Sequence, residues 1–88
     1  MNKLFSDDAW DDLNSWFEDK KILKKINELL KDIERNGDTG IGKPEPLKYE
    51  LAGYWSRRIT DKDRLIYKID REKSIIYIIG CKGHYDNE

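Results

Sequence analysis

Eighty-eight residues are enough for one small hydrophobic core and exclude a second domain. Leu, Ile and Phe account for 21 of them, with no Val, which clears the roughly 20% level below which chains stay disordered; the chain should fold on a thin core. Seventeen basic and eighteen acidic residues leave a net charge of −1, which argues against a general nucleic-acid binder, and the longest apolar stretch, Ser74 to Cys81, falls far short of the ~20 residues of a membrane span.

The charge is unevenly distributed. Residues 1–40 carry 7 basic and 10 acidic side chains, whereas residues 41–85 carry 10 and 6, so the second half is locally cationic. The first residues lack the apolar core of a secretory signal, and the single cysteine, Cys81, permits neither an internal disulfide nor a multi-thiolate zinc site. A cytoplasmic location follows as the expectation, with packing as the role of Cys81.

In chain order, Lys3 to Ser6 reads as a short strand that gives way to a helix capped by Ser6, whose first turn carries Asp7 and Asp8 against the helix dipole. From Asp7 to about Glu18, Trp10, Leu13, Trp16 and Phe17 recur at helical spacing, which predicts a core role for Trp10 and Trp16. Asp19 then caps a second helix, in which Ile22, Ile26, Leu29, Leu30 and Ile33 form one stripe before Asn36-Gly37 stops it. With so short a connection the two helices should form a hairpin facing a common surface.

Gly37 to Pro46 holds three glycines and two prolines and reads as a loop. It contains no nucleotide-binding P-loop pattern. Pro44 and Pro46 stiffen the backbone around Glu45, because each proline fixes its own φ and restricts the residue before it. Three strands follow, Tyr54 to Thr60, Arg64 to Asp70 and Ser74 to Cys81, joined by turns at 61–63 and 71–73. The last is apolar on both alternations, which predicts a central strand with the first strand beside it. The expected fold class is α+β: two layers, an antiparallel sheet with an α-helical hairpin on one face, in the order β-α-α-β-β-β.

Alternation along the strands puts Trp55, Arg57 and Ile59 on one face and Tyr54, Ser56 and Arg58 on the other. Leu65, Tyr67 and Ile69 read as core, with Arg64, Ile66 and Lys68 opposite. A pairing of Thr60 with Arg64 would set Arg58 against Ile66 and leave both cations on one face; a two-residue turn would separate them. Taken alone, strand arginines read equally well as solvated surface or edge protection, the lone His84 as an exposed polar residue, and Trp55 as core. No metal-ligand set is evident. In combination, a carboxylate between prolines, a strand arginine and a histidine after the last strand are the parts for phosphodiester cleavage: a base for a ribose 2′-hydroxyl, a cation for the phosphorane oxygens and an acid for the leaving oxygen.

Four segments in order, Gly42-Lys43-Pro44-Glu45-Pro46-Leu47-Lys48, Gly53-Tyr54-Trp55-Ser56-Arg57-Arg58-Ile59-Thr60, Arg64-Leu65 with Tyr67, and His84-Tyr85, resemble the YoeB-type toxins of the RelE/ParE superfamily. The resemblance runs from Leu4 through Tyr85. It implies an mRNA interferase: a ribosome-dependent endoribonuclease that cuts messenger RNA in the A site, inhibits translation, and is held inactive by a YefM-type antitoxin through which alone it would reach operator DNA. It also implies Glu45 as general base, Arg64 as phosphate stabiliser, His84 as general acid, Tyr85 as a substrate-positioning aromatic, and no metal or other cofactor. An RNA-facing patch of Lys43, Lys48, Arg57, Arg58, Arg64, Lys68 and Lys82 is expected, with the acidic first half turned away. A homodimer is among the assemblies the resemblance allows. Two other readings of the same scaffold are a non-enzymatic ParE-like toxin that binds DNA gyrase and an antitoxin-bound corepressor; a pure binding module would have no evident need of the Glu45, Arg64 and His84-Tyr85 set. The chain departs from close relatives in its Asp86-Asn87-Glu88 tail and in Gly83.

Overall fold

The structure is a computed structural model and describes residues 1–84. Its elements are β1 (Asn2–Phe5), α1 (Asp7–Ser15), α2 (Lys20–Asn36), β2 (Glu45–Pro46), a 3-10 turn at Tyr49–Leu51, β3 (Trp55–Arg58), β4 (Arg64–Asp70) and β5 (Ile75–Gly80). Both helix caps form as the sequence predicts: Ser6 accepts from the Ala9 N–H and Asp19 from the Ile22 N–H. Gly37, at φ 67°, ends α2 in a left-handed conformation that suits glycine.

The strands form one sheet in the order β1-β5-β4-β3-β2, with the helices packed on one face. Ala9 of α1 and Ile26, Leu29, Leu30 and Ile33 of α2 meet Ile59, Leu65, Tyr67, Ile76, Ile78 and Cys81 in a single core. The two-layer α+β expectation therefore holds, with three corrections. The sheet is mixed, because β1 runs parallel to β5; side-chain alternation reports which face a residue occupies, not which way its neighbour runs. Within the expected loop, Glu45 and Pro46 pair with Ser56 and Trp55, and an edge position suits a proline that has no N–H to give. That extra strand makes β4 the middle of the sheet, so β5 is interior but not central.

The first helix is shorter than its apolar spacing suggests, and it buries a different stripe. Small Ala9 is fully buried while Trp10 is 54% exposed and Phe17 75%. Trp10 packs edge-on against Phe5, with ring centroids 6.1 Å apart, so it lies outside the core assigned to it. Trp16 does pack against the core, and its indole N–H donates to the Cys81 carbonyl at 2.8 Å.

The largest correction concerns Arg57. Expected on the RNA-facing patch, it is fully buried on the helical side of the sheet. Its Nη1 bridges the Asp32 carboxylate and the Ile41 carbonyl, its Nη2 donates to the carbonyls of Gly37 and Thr39 at 2.6 and 2.7 Å, and its Nε donates to the Tyr67 hydroxyl. Asp32 also accepts from the Ile41 N–H at 3.0 Å. A guanidinium is the one side chain with enough fixed donors to gather three loop carbonyls and a carboxylate at once. The cation is spent inside the fold and cannot meet a phosphate.

Hydrogen bonding to Arg57, the largest cause, holds the Asp32 carboxyl below its ordinary value, against the opposing effect of burial. A carboxyl depressed in the folded state adds stability above its unfolded pKa, about 3.9, and loses it as pH falls through the lower folded value. Urea unfolding of Asp32→Asn should accordingly show a weaker loss of stability below about pH 4 than the parent protein. Arg57→Ala should cost about 3 to 5 kcal/mol by breaking the Asp32 pair of a fully buried guanidinium and leaving three loop carbonyls without their donor, and Arg57→Lys should recover only part, since an ammonium lacks the fork.

Cys81 is buried, and desolvation, with a smaller contribution from Asp12, pushes its thiol up to about 12. At pH 8 native Cys81 should react with a disulfide reagent on the order of a thousandfold more slowly than the unfolded chain, whose thiol has a pKa near 8.5. Timed thiol titration with and without denaturant measures the ratio.

Candidate active site

On the face of the sheet away from the helices, paired residues across neighbouring strands point the same way. The register sets Glu45 opposite Ser56, Ser56 opposite Ile66, and Arg58 opposite Arg64. Glu45, Arg58 and Arg64 therefore share this face. The two arginines do so through a pairing offset from the one considered above but of the same parity, so the face is unchanged. Strand spacing separates the Glu45 and Arg64 rows by about 10 Å. Ser56, Ile66 and Arg64 are almost wholly covered, so this part of the face is a packed floor.

Arg64 is held by the turn before it. Its Nη1 donates to the carbonyls of Thr60, Asp61 and Asp63, at 2.9, 3.3 and 3.1 Å, and these bonds fix the guanidinium. The turn is built on Asp63, whose Oδ2 accepts from the Thr60 hydroxyl at 2.7 Å.

His84 reaches the same end of the sheet through backbone contacts. The Gly83 N–H donates to Asp63 Oδ1 at 2.8 Å, and the Arg64 N–H donates to the Gly83 carbonyl at 3.0 Å. One step earlier, α1 holds Cys81 from both sides: Asp12 accepts from the Cys81 N–H at 3.0 Å while Trp16 donates to its carbonyl. The segment leaving β5 is thus fixed before and after Lys82, and exposed His84 follows beside the start of β4. Asp12, Trp16, Asp63, Asp32 and Arg57 all position this end of the molecule, and sequence reasoning assigned none of them that role. Two signals were available: Asp63 at a strand turn, and the alternation of Arg57 with Trp55 and Ile59.

The remaining expected residues divide. Lys43 lies two residues before Glu45 and is exposed, as is Lys48, which precedes the 3-10 turn. Lys68 sits over the rings of Tyr54 and Tyr77, at 4.9 and 5.5 Å. Lys82 instead lies 5.0 Å over the Trp16 ring, drawn toward the helical layer. Tyr85 and the Asp86-Asn87-Glu88 tail lie outside the described residues. Among the described residues, no group of three His, Cys, Asp or Glu side chains could hold a metal ion.

Comparison with known proteins identifies the family. A family model described as the YoeB-like toxin of bacterial type II toxin-antitoxin systems matches residues 5–85. Toxin YoeB of Escherichia coli K12 is 49% identical over 86 residues, covering 97% of this chain and all of that protein. The structure of a YoeB dimer from Staphylococcus aureus is 52% identical, with a TM-score of 0.88 over 97% of this chain and 98% of that one. A heterotetrameric YoeB-YefM toxin-antitoxin complex from the same organism gives 52% identity and a TM-score of 0.87 over the same shares. By family model, sequence identity and fold together, this chain belongs to the YoeB-like toxins of bacterial type II toxin-antitoxin systems.

Proposed function

We propose that this toxin is a ribosome-dependent endoribonuclease that cuts messenger RNA in the ribosomal A site. Glu45 takes the proton of a ribose 2′-hydroxyl as its oxygen attacks the adjacent phosphorus. Arg64 stabilises the negative charge that gathers on the equatorial oxygens, and His84 protonates the departing 5′-oxygen. The bond from phosphorus to the 5′-oxygen breaks as the bond to the 2′-oxygen forms, leaving a cyclic phosphate and a free 5′-hydroxyl. Tyr85 is assigned to positioning the substrate. The steps use side chains alone and need neither metal nor cofactor.

The observation that carries this reading is convergence from distant parts of the chain. The β2–β3–β4 register gathers Glu45, Arg58 and Arg64 on one face, and the Gly83 contacts bring the segment bearing His84 to the start of β4. With one histidine in the chain, a carboxylate is the natural partner for it in acid–base work, and Glu45 is on that face next to β3, whereas Asp70, on the same face, lies at the far end of β4 from Arg64. Lys48, Arg58 and Lys68 are assigned to the RNA backbone.

The Staphylococcus aureus relatives support the assignment of partners. One is described as a dimer and another as a heterotetramer with YefM; by that likeness, this chain forms homodimers and is silenced by a YefM-type antitoxin. An acidic, partly disordered antitoxin segment that folds on binding suits the cationic end of the sheet, and operator DNA would be reached only through that antitoxin.

Glu45 is half-buried and His84 exposed, so Glu45→Ala and His84→Ala should fold normally while cutting messages in a translating extract at least about 100-fold more slowly. Primer extension on the message reads the cuts, and full activity in either variant would remove that residue from the mechanism. A message carrying a single 2′-deoxyribose on the 5′ side of the cut should be spared at that position and cut at others, because the attacking oxygen is missing. Cleavage at the deoxy position would exclude 2′-hydroxyl attack.

A further inference from the structure

Where α2, the glycine loop and the β3–β4 turn meet, Lys25, Gly42, Lys43, Arg58, Ile59, Thr60 and Asp61 line an open cavity of about 300 Å³. Three of these residues are cationic and one is acidic. Among the described residues, the side chains of Lys25, Lys43 and Arg58 have no ion-pair or hydrogen-bond partner. Lys25 and Arg58 are nonetheless partly buried, and the three cationic residues of the lining outnumber its single carboxylate, Asp61, a balance that suits an anion.

The backbone of the cavity is costly to build. Gly42 lies at φ +81°, and a Cβ there would come within 2.8 Å of Leu29 Cδ2 and 3.2 Å of Arg57 Cβ. Its carbonyl accepts from the Arg58 N–H at 2.7 Å, which ties the loop to the end of β3. Lys43 follows at φ 51°, a left-handed conformation uncommon outside glycine, and it precedes a proline, which ordinarily favours extended backbone. Strain of this kind collects where function requires a side chain to stand in a particular place. Here it sets Lys43, two residues from Glu45, in the lining of the same cavity as Arg58.

We propose that this cavity is a subsite for a backbone phosphodiester of RNA, separate from the scissile one, with Lys25 of α2 as its third cation. The proposal rests on the endoribonuclease reading and extends it. Arg58 stands opposite Arg64 and also lines the cavity, so a strand whose scissile phosphate lies at Arg64 passes this mouth with a neighbouring phosphate. The phosphate could belong to the message or to ribosomal RNA, and the two share one chemistry.

The test compares the parent protein with Lys25→Gln/Lys43→Gln, and with Lys24→Gln/Lys31→Gln, which removes the same charge from the exposed side of α2. Three probes are used: a single-stranded oligoribonucleotide with 2′-deoxyribose throughout its central residues, purified ribosomes, and poly-L-glutamate. Loss of the two cavity lysines should weaken RNA binding on the order of tenfold and flatten the slope of log affinity against log salt by about 0.7, the value for one lost phosphate contact on a single strand. The control pair should change neither.

An effect confined to the oligonucleotide assigns the phosphate to the message, and one confined to ribosomes assigns it to ribosomal RNA; both support the subsite. Unchanged RNA affinity with both probes overturns it, as does an effect seen only with poly-L-glutamate, which would make the cavity a carboxylate site for an acidic protein segment. Failure of the parent protein to cut RNA would instead sink the enzyme reading, and the binding result would still decide the subsite.

Discussion

The cationic end of this molecule depends on one buried arginine that never reaches it. Arg57 points into the helical layer, pairs with Asp32 of α2, and draws in the carbonyls of Gly37, Thr39 and Ile41. Those carbonyls belong to a loop with too many glycines and too few apolar side chains to pack itself. Without a central donor, each would be buried without a partner or left to water, at about 1 to 3 kcal/mol for a stranded buried group. Gly40 shows how tightly the loop is drawn in: a Cβ there would come to 1.9 Å from Asp32 Oδ2. The loop then passes Gly42, bonded to Arg58, and delivers Lys43 and Glu45 to the sheet edge. Arg57 and Arg58 are neighbours in sequence with opposite fates, one organising the loop from within and the other facing outward where the loop arrives.

The same principle governs the carboxyl-terminal side. His84 follows a glycine and lies on no element of its own, so its position is set by what holds the backbone before it. Asp12 and Trp16 take the two polar groups of Cys81, and Asp63 and the Arg64 N–H take those of Gly83. Four ordinary hydrogen bonds replace the strand pairing that ends at Gly80. Asp63 is the joint: one carboxylate oxygen closes the turn that fixes the Arg64 guanidinium, and the other receives the chain leading to His84. A change at Asp63 would therefore disturb Arg64 and His84 together without touching either side chain.

Periodicity made the helices, their caps, the three long strands and the two layers readable from sequence. The misreadings have definite physical causes. Trp10 fits the apolar spacing of α1, but Ala9 is small enough to let the helix approach the sheet, and the stripe centred on Ala9 and Leu13 wins the buried face. Arg57 alternates with Trp55 and Ile59, so its inward orientation was visible in the pattern. Its residue type suggested solvent, because nothing in sequence announced Asp32 and three carbonyls waiting 16 to 25 residues away in the chain. Direction of pairing is equally silent in sequence, which is why the parallel union of β1 and β5 was missed. The residues proposed for the chemistry came from motif and resemblance, whereas Asp12, Asp32 and Asp63, which hold the neighbouring segments in place, carry no such signal.

A net charge of −1 is modest for a protein assigned to RNA, and the fold suggests how it can suffice. Counterion release depends on the cations that meet phosphates, not on the sum over the whole chain. Burial removes Arg57 from that set and the Trp16 ring draws Lys82 away from it, so the cationic surface is smaller than composition implies. It is also more ordered: Arg64 is fixed by turn carbonyls, Lys68 rests between two tyrosines, and Lys43 is set in a strained backbone beside Arg58. A few cations whose positions are set before binding lose less side-chain freedom on meeting a phosphate than many mobile ones. The acidic α1, with Asp7, Asp8, Asp11 and Asp12, then costs little, because at physiological salt its field falls off over about 8 Å while the sheet and its core stand between.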